Sequence, residues 1–523
     1  MMPPDTLDRM STGTPQAFTI SVVTVLLAGV ASAAQRRAGD VNGDGYDELI
    51  IAVPYEDLGF FQAGAVHALF GSATGLGTAG GGFGSQDTPG LPDQGESDDT
   101  FGDALAVGDL NGDGYGDLAV GVPFEDLSHA DDGAVHVFYG SAAGFTLSGN
   151  QFWSQDSPGV PGVAAGGAFG GGLAAGDFNG DGFGDLVIGA PYETVAGFPS
   201  AGSITVLYGS AAGLGTVGAT SFNLQELTGI LDSYFYLGEI LEAGDFDGDG
   251  RDDLAVGVPN ADVGATGFTA GEIAVLMSGS GGLTLASVQI WHQDSPGMAD
   301  VAESSDFFGN ALAAGDFDGD GDDDLAVGVQ WEDLNYPILY AGAVNMLYGG
   351  PGGLVASAQF WHQDIGSIQE TAEAYDRFGT SLGAGDFDGD GRDDLAVGVP
   401  EESFSGKRAA GIVQVLYGGL GGLSDAGNQL WSQDRPGILE QAEDRDRFGS
   451  TLLAGDFNGD GWEDLVVAAP QENLSGATGA GLVHVLYGGA IGLSSLGNQL
   501  WSQASPGVPD TPEALDGFGA ALD

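Results

Sequence analysis

The chain contains no cysteine, only one lysine and few basic residues of any kind. The absence of cysteine excludes disulfide bonds, thiolate metal sites and cysteine nucleophiles, so packing or oxygen-ligated metal must hold the fold. Lysine and arginine number 11 against 75 aspartates and glutamates, and the formal net charge is −64. Because such a charge repels nucleic acid and anionic membranes, we expect divalent cations as partners and no nucleic acid.

Long apolar runs are also scarce. Residues 17–30 form an apolar run that is followed by the small residues Ala31-Ser32-Ala33. This pattern predicts a signal peptide over residues 1–34, and therefore a secreted or cell-surface protein. The segment ahead of the run lacks the usual basic charge, since Arg9 is offset by Asp5 and Asp8, which leaves an uncleaved membrane anchor as the alternative. No later segment reaches the length of a membrane span, so no transmembrane segment is expected after the signal region.

What the sequence has in abundance is glycine, with 96 residues, and a phrase that returns seven times. Its copies open at Asp40, Asp109, Asp177, Asp245, Asp316, Asp386 and Asp456. The spacing of about 70 residues accommodates four strands of ordinary length with their loops. Each copy is therefore one supersecondary unit.

Four strands are predicted in each copy, and the second copy shows them clearly. Strand one opens at Phe101-Gly102, strand two is the continuous apolar run 118–122, strand three is the alternating segment 133–139, and strand four is 151–156. An uninterrupted apolar run indicates a strand that is buried on both faces. Four antiparallel strands repeated seven times predict an all-β fold, a seven-bladed β-propeller over residues 35–523.

The two ends of the repeat array complement each other. The first copy lacks a Phe-Gly phrase, while the C-terminus supplies Phe518-Gly519 with no loop after it. We therefore predict that residues 518–522 form the strand that blade one lacks, which closes the ring and leaves no open edge.

The loop between strands one and two carries the chemistry. In the fourth copy it runs from Asp245 to Leu254, with acids at positions 1, 3, 5 and 9 and glycine at position 6. Calcium takes six to eight oxygen ligands, and carboxylates at alternate positions of a turning backbone can converge on one ion. Position 7 has no shared side-chain chemistry, which indicates a ligand from its backbone carbonyl.

The sequence thus predicts a calcium ion in each loop, about seven in all. The alternative is a turn rich in aspartate and asparagine that needs no ion. Magnesium fits less well, because its octahedral shell rarely uses an all-protein site. The candidate ligands at positions 1, 3, 5, 7 and 9 are Asp40, Asn42, Asp44, Tyr46 and Glu48; Asp109, Asn111, Asp113, Tyr115 and Asp117; Asp177, Asn179, Asp181, Phe183 and Asp185; Asp245, Asp247, Asp249, Arg251 and Asp253; Asp316, Asp318, Asp320, Asp322 and Asp324; Asp386, Asp388, Asp390, Arg392 and Asp394; and Asp456, Asn458, Asp460, Trp462 and Asp464.

A family resemblance rests on the order of these elements. Each copy has the Phe-Gly phrase or a variant, the acidic loop, and then a Gly-Ala-Pro element that is literal at Gly189-Ala190-Pro191 and varied elsewhere. In this order the chain resembles the FG-GAP repeats of integrin alpha-subunit propellers and of glycosylphosphatidylinositol-specific phospholipase D, over residues 38–523. The resemblance implies a rigid ring with calcium on one face and partner-binding loops on the other. Integrin propellers carry the calcium loop in only some blades, whereas this chain carries seven.

No nucleophile and base set stands out in the sequence, so we expect no catalytic residues and no enzyme. Three of the six histidines, His67, His136 and His484, share one position of strand three, which favours a half-exposed structural role. The expected function is a calcium-dependent adhesion or interaction module, a monomer whose ligand is an extracellular protein or glycan. A structural cell-surface protein and a secreted hydrolase are the alternatives, and the ligand surface is not specified.

Overall fold

The computed structural model describes residues 39–264, 267–334, 337–474 and 476–523. The predicted signal peptide lies outside the described residues. Seven four-stranded antiparallel sheets form the blades of a seven-bladed β-propeller, which confirms the predicted fold class. In the described part of the chain, helix is limited to α1 (Leu224–Thr228) and a 3-10 turn at Leu285–Ser287, and no helix there is long and apolar enough to cross a membrane.

Each blade runs from an inner strand to an outer strand, and the inner strands of neighbouring blades contact one another. Blades one to three contain β1 (Leu49–Val53), β2 (Ala65–Phe70), β3 (Gly77–Gly84), β4 (Leu105–Gly108), β5 (Asp117–Val122), β6 (Ala134–Tyr139), β7 (Thr146–Trp153), β8 (Leu173–Gly176), β9 (Asp185–Ala190), β10 (Ser203–Tyr208) and β11 (Gly215–Asn223). Blades four to seven contain β12 (Ile240–Gly244), β13 (Asp253–Val258), β14 (Glu272–Leu276), β15 (Val288–Trp291), β16 (Leu312–Gly315), β17 (Asp324–Val329), β18 (Ala343–Tyr348), β19 (Val355–Trp361), β20 (Ser381–Gly385), β21 (Asp394–Val399), β22 (Ile412–Tyr417), β23 (Ser424–Trp431), β24 (Leu452–Gly455), β25 (Asp464–Ala469), β26 (Leu482–Tyr487) and β27 (Ser494–Trp501). The last strand, β28 (Ala521–Leu522), belongs to blade one.

The core lies between the blades. Strand β5 reads DLAVGV and all six of its residues are buried, as an apolar run covered on both faces requires. The Phe-Gly phrase is a turn rather than the start of a strand, because β4 begins only at Leu105 and Gly102 has a φ of +97°. The Phe101 side chain is fully buried, and its N–H donates to the Ala63 carbonyl of blade one at 3.0 Å. The phrase therefore fastens one blade to the next.

The three histidines of strand three are buried, so the expectation that their position is half-exposed is wrong. His67, His136 and His484 are at most 1% exposed. The ring of His484 lies 5.3 Å from that of Phe448, and the ring of His136 lies 5.7 Å from that of Phe101. Burial lowers the pKa of His136 to about 4, so it is neutral and packs as an aromatic ring near neutral pH.

The two ends of the array meet as predicted. Strand β28 pairs with β1 through Ile51–Leu522 and Ala52–Ala521, so the C-terminus supplies the inner strand of blade one. Two backbone hydrogen bonds join Ile50 and Asp523, at 2.6 and 3.0 Å. The regular strand is shorter than residues 518–522, because Phe518-Gly519 makes the same turn as in the other copies.

Candidate metal centre

The seven acidic loops, each comprising positions 1 to 9 of the repeated phrase, lie at one end of the blades. In blade two the loop connects β4 to β5, and Gly108 pairs with Asp117, the first residue of β5. This pairing brings position 9 back beside position 1, Asp109. The acids at the two ends of the phrase are therefore neighbours in space.

The carboxylate at position 1 organises each loop. Asp109 accepts hydrogen bonds from the backbone N–H groups of Asp113, at 3.0 Å, and Gly114, at 2.8 Å. Asp386 accepts equivalent bonds from Asp390, at 3.0 Å, and Gly391, at 2.9 Å. The backbone thus wraps around this carboxylate, and the side chains at positions 3 and 5 are carried on the same turn.

The carboxylate at position 9 is the most buried of the set. Asp117 is 0% exposed and accepts the N–H groups of Leu110, at 2.9 Å, and Gly140, at 2.8 Å. Burial, with the neighbouring Asp109 and Asp113 carboxylates adding to it, raises the pKa of Asp117 to about 8. Burial likewise raises the pKa of Asp394 to about 9. A cation at this place would stabilise the ionised form that burial disfavours.

Several acidic loops bring three carboxylates to one point. In each of three groups, oxygens from the three side chains lie within 4.8 Å of one another. The groups are Asp245, Asp247 and Asp253; Asp316, Asp318 and Asp320; and Asp386, Asp388 and Asp394. All of these donors are hard oxygens, which suit calcium or magnesium rather than a softer metal. The structure thus confirms the acidic clusters, while the predicted carbonyl ligand at position 7 stays a prediction.

Side chains at position 7 have a structural role that the sequence does not reveal. In six pairs, the position 7 side chain packs over the glycine at position 4 of the preceding blade's loop. A Cβ added to that glycine would lie only 1.8 to 2.9 Å from the nearest atom of the position 7 side chain. The pairs are Gly112 with Phe183, Gly180 with Arg251, Gly248 with Asp322, Gly319 with Arg392, Gly389 with Trp462, and Gly459 with Tyr46. Arg251 and Arg392 also form ion pairs with the position 5 acids Asp249 and Asp390. Aromatic, basic and acidic side chains can all cover a glycine, which explains why the residue type at position 7 varies between the copies.

Position 8 holds functional residues that the sequence reasoning missed. The Asp252 carboxylate accepts the backbone N–H of Asp177 in the preceding loop at 2.7 Å, and Asp323 does the same for Asp245 at 2.9 Å. Asp393 and Asp47 repeat the contact. In every blade the N–H of position 8 also donates to the carbonyl of position 1 in the preceding loop. The sequence does contain a signal for this position, since position 8 is acidic in five of seven copies. In the structure these acids link adjacent loops.

The opposite end of the ring carries a different surface, the aromatic face. It consists of the loops that follow the second strands and those that precede the inner strands. All exposed aromatic side chains of the described residues lie there: Phe60, Phe61, Phe198, Tyr234, Phe268 and Tyr375. Between blades five and six, Trp331 contacts the Tyr340 ring at 5.3 Å, Tyr340 contacts Tyr375 at 5.4 Å, and Arg377 lies 5.3 Å over Trp331.

Comparison with known proteins defines the class. The FG-GAP repeat family matches seven times, at residues 37–69, 101–138, 169–207, 237–276, 308–344, 378–416 and 448–486. These matches cover about half of the chain and fall one to a blade. The chain belongs to the FG-GAP repeat family and folds as its seven-bladed propeller.

Two relatives and one solved structure illustrate the range of similar proteins. Phosphatidylinositol-glycan-specific phospholipase D of Bos taurus is 27% identical over 454 residues, which is 81% of this chain and 50% of that protein. Integrin alpha-PS2 of Drosophila melanogaster is 29% identical over 240 residues, 45% of this chain and 15% of that protein. The exotype rhamnogalacturonan lyase YesX matches 73% of this chain and 67% of its own at 14% identity, with a TM-score of 0.33, a likeness too weak to bear on function.

These comparisons correct one expectation. The prediction that the chain has no enzymatic role is wrong, because the relatives that match 81% of it are named for a phospholipase activity. The chain spans about half the length of these relatives.

Proposed function

We propose that the chain is an extracellular, calcium-loaded propeller whose aromatic face binds a protein or glycan, and that this recognition serves a catalytic activity of the kind named in its phospholipase relatives. The observation that carries the proposal is the seven-fold set of acidic loops. Each carries at least three acidic side chains, and in at least three of the loops carboxylate oxygens lie within 4.8 Å of one another. None of the ion pairs among the described residues joins a buried position 9 acid to a basic side chain. Calcium supplies the missing positive charge, with affinities of about 10⁻⁴–10⁻³ M expected of an extracellular module.

The division of the ring into two ends supports a recognition role. The acidic loops link neighbouring blades through positions 7 and 8, so bound cations would stiffen the ring. The opposite end exposes aromatic rings and Arg377, residue types that are enriched in binding interfaces. Stiffening at one end would hold the aromatic loops of different blades in fixed relative positions, which lowers the entropy cost of binding.

Glycan and protein arrays probed with and without calcium test the recognition proposal. Binding should require calcium and should fall at least about tenfold in Tyr375→Ala, because its side chain is 56% exposed at the aromatic face. Val217→Ser is the matched control, since Val217 is 92% exposed but lies near the start of the outer strand β11, at the end of the blade that carries the acidic loop. Equal loss in both variants, or binding that chelation leaves unchanged, would contradict the proposal.

A second candidate function is catalysis by this chain itself, which the phospholipase relatives favour. Release of a phosphatidylinositol-glycan-anchored protein from vesicles would be measured with the purified chain, with and without calcium. Turnover by the chain alone would assign the chemistry to the propeller. Binding of the same vesicles without turnover would assign it recognition only.

A further inference from the structure

A second repeated group of oxygen side chains lies between neighbouring blades, at the end of the second strand opposite to the acidic loops. Glu402 follows β21, and its N–H donates to Val399, the last residue of that strand, at 3.2 Å. Gln363 follows the outer strand of blade five and donates from Nε2 to Glu402 Oε2 at 2.7 Å. Asp376 and Glu373 precede the inner strand of blade six. We call these four side chains the blade-six junction cluster.

The carboxylates of this cluster are close together and lack a positive partner. Oxygens of Glu373, Asp376 and Glu402 lie within 4.8 Å of one another. Asp376 is 3% exposed and Glu402 is 2% exposed. No ion pair among the described residues includes any of the three, and the nearby Arg377 pairs with Glu401 instead. Buried carboxylates without a counter-charge are costly, so this arrangement needs either protons or a cation.

The glutamine supplies a buried oxygen without a partner next to this group of carboxylates. Gln363 is 2% exposed, and its Oε1 is buried with no hydrogen-bond partner. The bond from Nε2 to Glu402 holds the amide group at the cluster, which leaves its carbonyl oxygen as a further candidate ligand. A buried carbonyl without a donor costs free energy that a metal ion would recover. Glutamine carbonyls and carboxylates are both calcium ligands.

The same arrangement recurs at four more junctions. Between blades seven and one, oxygens of Glu56, Glu513 and Asp516 lie within 4.8 Å of one another, and Gln503 Nε2 donates to Glu56. In the other three, a buried glutamine again bonds a buried glutamate beside a buried aspartate: Gln86 with Glu125 and Asp99, Gln293 with Glu332 and Asp306, and Gln433 with Glu472 and Asp446. Each of these glutamines also has an Oε1 without a partner.

Two junctions lack part of this set of acids and serve as natural controls. Between blades two and three, Gln155 Nε2 donates to Glu193 at 2.9 Å, but residues 157–168 contain no aspartate or glutamate. Gln155 Oε1 is unpartnered there as well. In blade four, Ala261 takes the place of the glutamate. The glutamine–glutamate pair is thus common scaffolding, and the additional carboxylates distinguish five junctions from the rest.

We propose that these five junctions form a second ring of divalent-cation sites, each built from the glutamate and aspartate carboxylates and the glutamine carbonyl oxygen. The all-oxygen donor set indicates calcium as the ion. The sites are separate from the acidic loops, lying at the far end of each second strand. They join the outer strand of one blade to the second strand of the next, beneath the aromatic face, so the ions would cross-link blades where the loop ions do not reach.

Native mass spectrometry of the full chain in calcium, with the number of bound ions counted, tests this proposal. Glu402→Gln should lose one ion relative to wild type, and it should lower the melting temperature in calcium but not in chelator. Glu193→Gln removes the equivalent charge at the acid-poor junction and should lose none. Asp376→Asn is the second variant, for use if Glu402→Gln does not fold. Asp249→Ala, in an acidic loop, reports separately whether the loop sites bind.

An unchanged count in Glu402→Gln and Asp376→Asn would overturn the proposal, because protons or water would then satisfy the junctions. Loss of an ion from Glu193→Gln as well would also overturn it, since the additional carboxylates would not be what makes the site. Loss of one ion from the blade-six variants together with none from Asp249→Ala would support the junction sites and contradict calcium in that loop. The two proposals can therefore fail independently.

Discussion

Individual side chains in the acidic loops divide into those that face the candidate ion and those that face the next blade. Positions 1, 3, 5 and 9 supply carboxylate or amide oxygens, and these could be predicted as candidate ligands from residue type and spacing alone. Positions 7 and 8 could not, because their partners lie about one repeat earlier in the chain. Arg251 covers Gly180, and Asp252 bonds the Asp177 N–H. The acids at position 8 mark that position in five of the seven copies, but no local pattern identifies the partner in the preceding loop.

This division predicts different outcomes for two neighbouring substitutions. Asp249→Ala should abolish one calcium site, because it removes a carboxylate ligand. Arg251→Ala should leave calcium affinity unchanged or slightly higher, because the predicted ligand at position 7 is the backbone carbonyl, while the side chain pairs with Asp249 and covers Gly180. Titration calorimetry of both variants beside wild type measures the difference. A loss in Arg251→Ala as large as that in Asp249→Ala would show that the carbonyl assignment is wrong.

The number of blades and strands could be predicted more fully from the sequence than the residues at which individual strands begin. The apolar second strands and the period of about 70 residues fixed seven blades of four strands, since only stacked blades bury such runs on both faces. The sequence pattern predicts that the Phe-Gly phrase begins a strand. In the structure the phrase is a turn, because Gly102 has a left-handed φ, and the turn inserts Phe101 between blades. Alternation alone does not distinguish a buried turn from the start of a strand.

The acidic loops also predict how stability depends on pH. Burial raises the pKa of Asp117, Asp185 and Asp464 to about 8, above the ordinary value of about 4 in an unfolded chain. The metal-free folded state therefore holds protons that the unfolded state releases, and this stabilisation is lost as pH rises from about 4 to about 8. Urea unfolding in chelator should show a decreasing free energy of unfolding between about pH 5 and pH 8.

Calcium should flatten or reverse that trend, because it binds the ionised carboxylates and favours the folded state at higher pH. Parallel unfolding curves in excess calcium are the control. A metal-free protein that gains stability over the same pH interval would contradict the assigned burial of these carboxyls.

Closure of the ring depends on the last residues of the chain. Phe518 and Leu522 are fully buried, and each is worth roughly 1.5–3 kcal/mol when removed from water. Deleting residues 517–523 should lower the melting temperature sharply or cause aggregation, because it exposes β1 and opens the junction between blades seven and one. Thermal unfolding and light scattering would report this loss. An unchanged melting temperature with a monodisperse truncated protein would contradict closure by β28.

The central claim is that the acidic loops bind calcium, one ion in each of seven blades. The most direct measurement is the number of calcium ions per chain, counted by native mass spectrometry or elemental analysis after dialysis against millimolar calcium. At least seven ions are expected, with up to five more from the junction clusters, and one fewer in Asp249→Ala. A count of two or fewer, or a count that Asp249→Ala leaves unchanged, would contradict it.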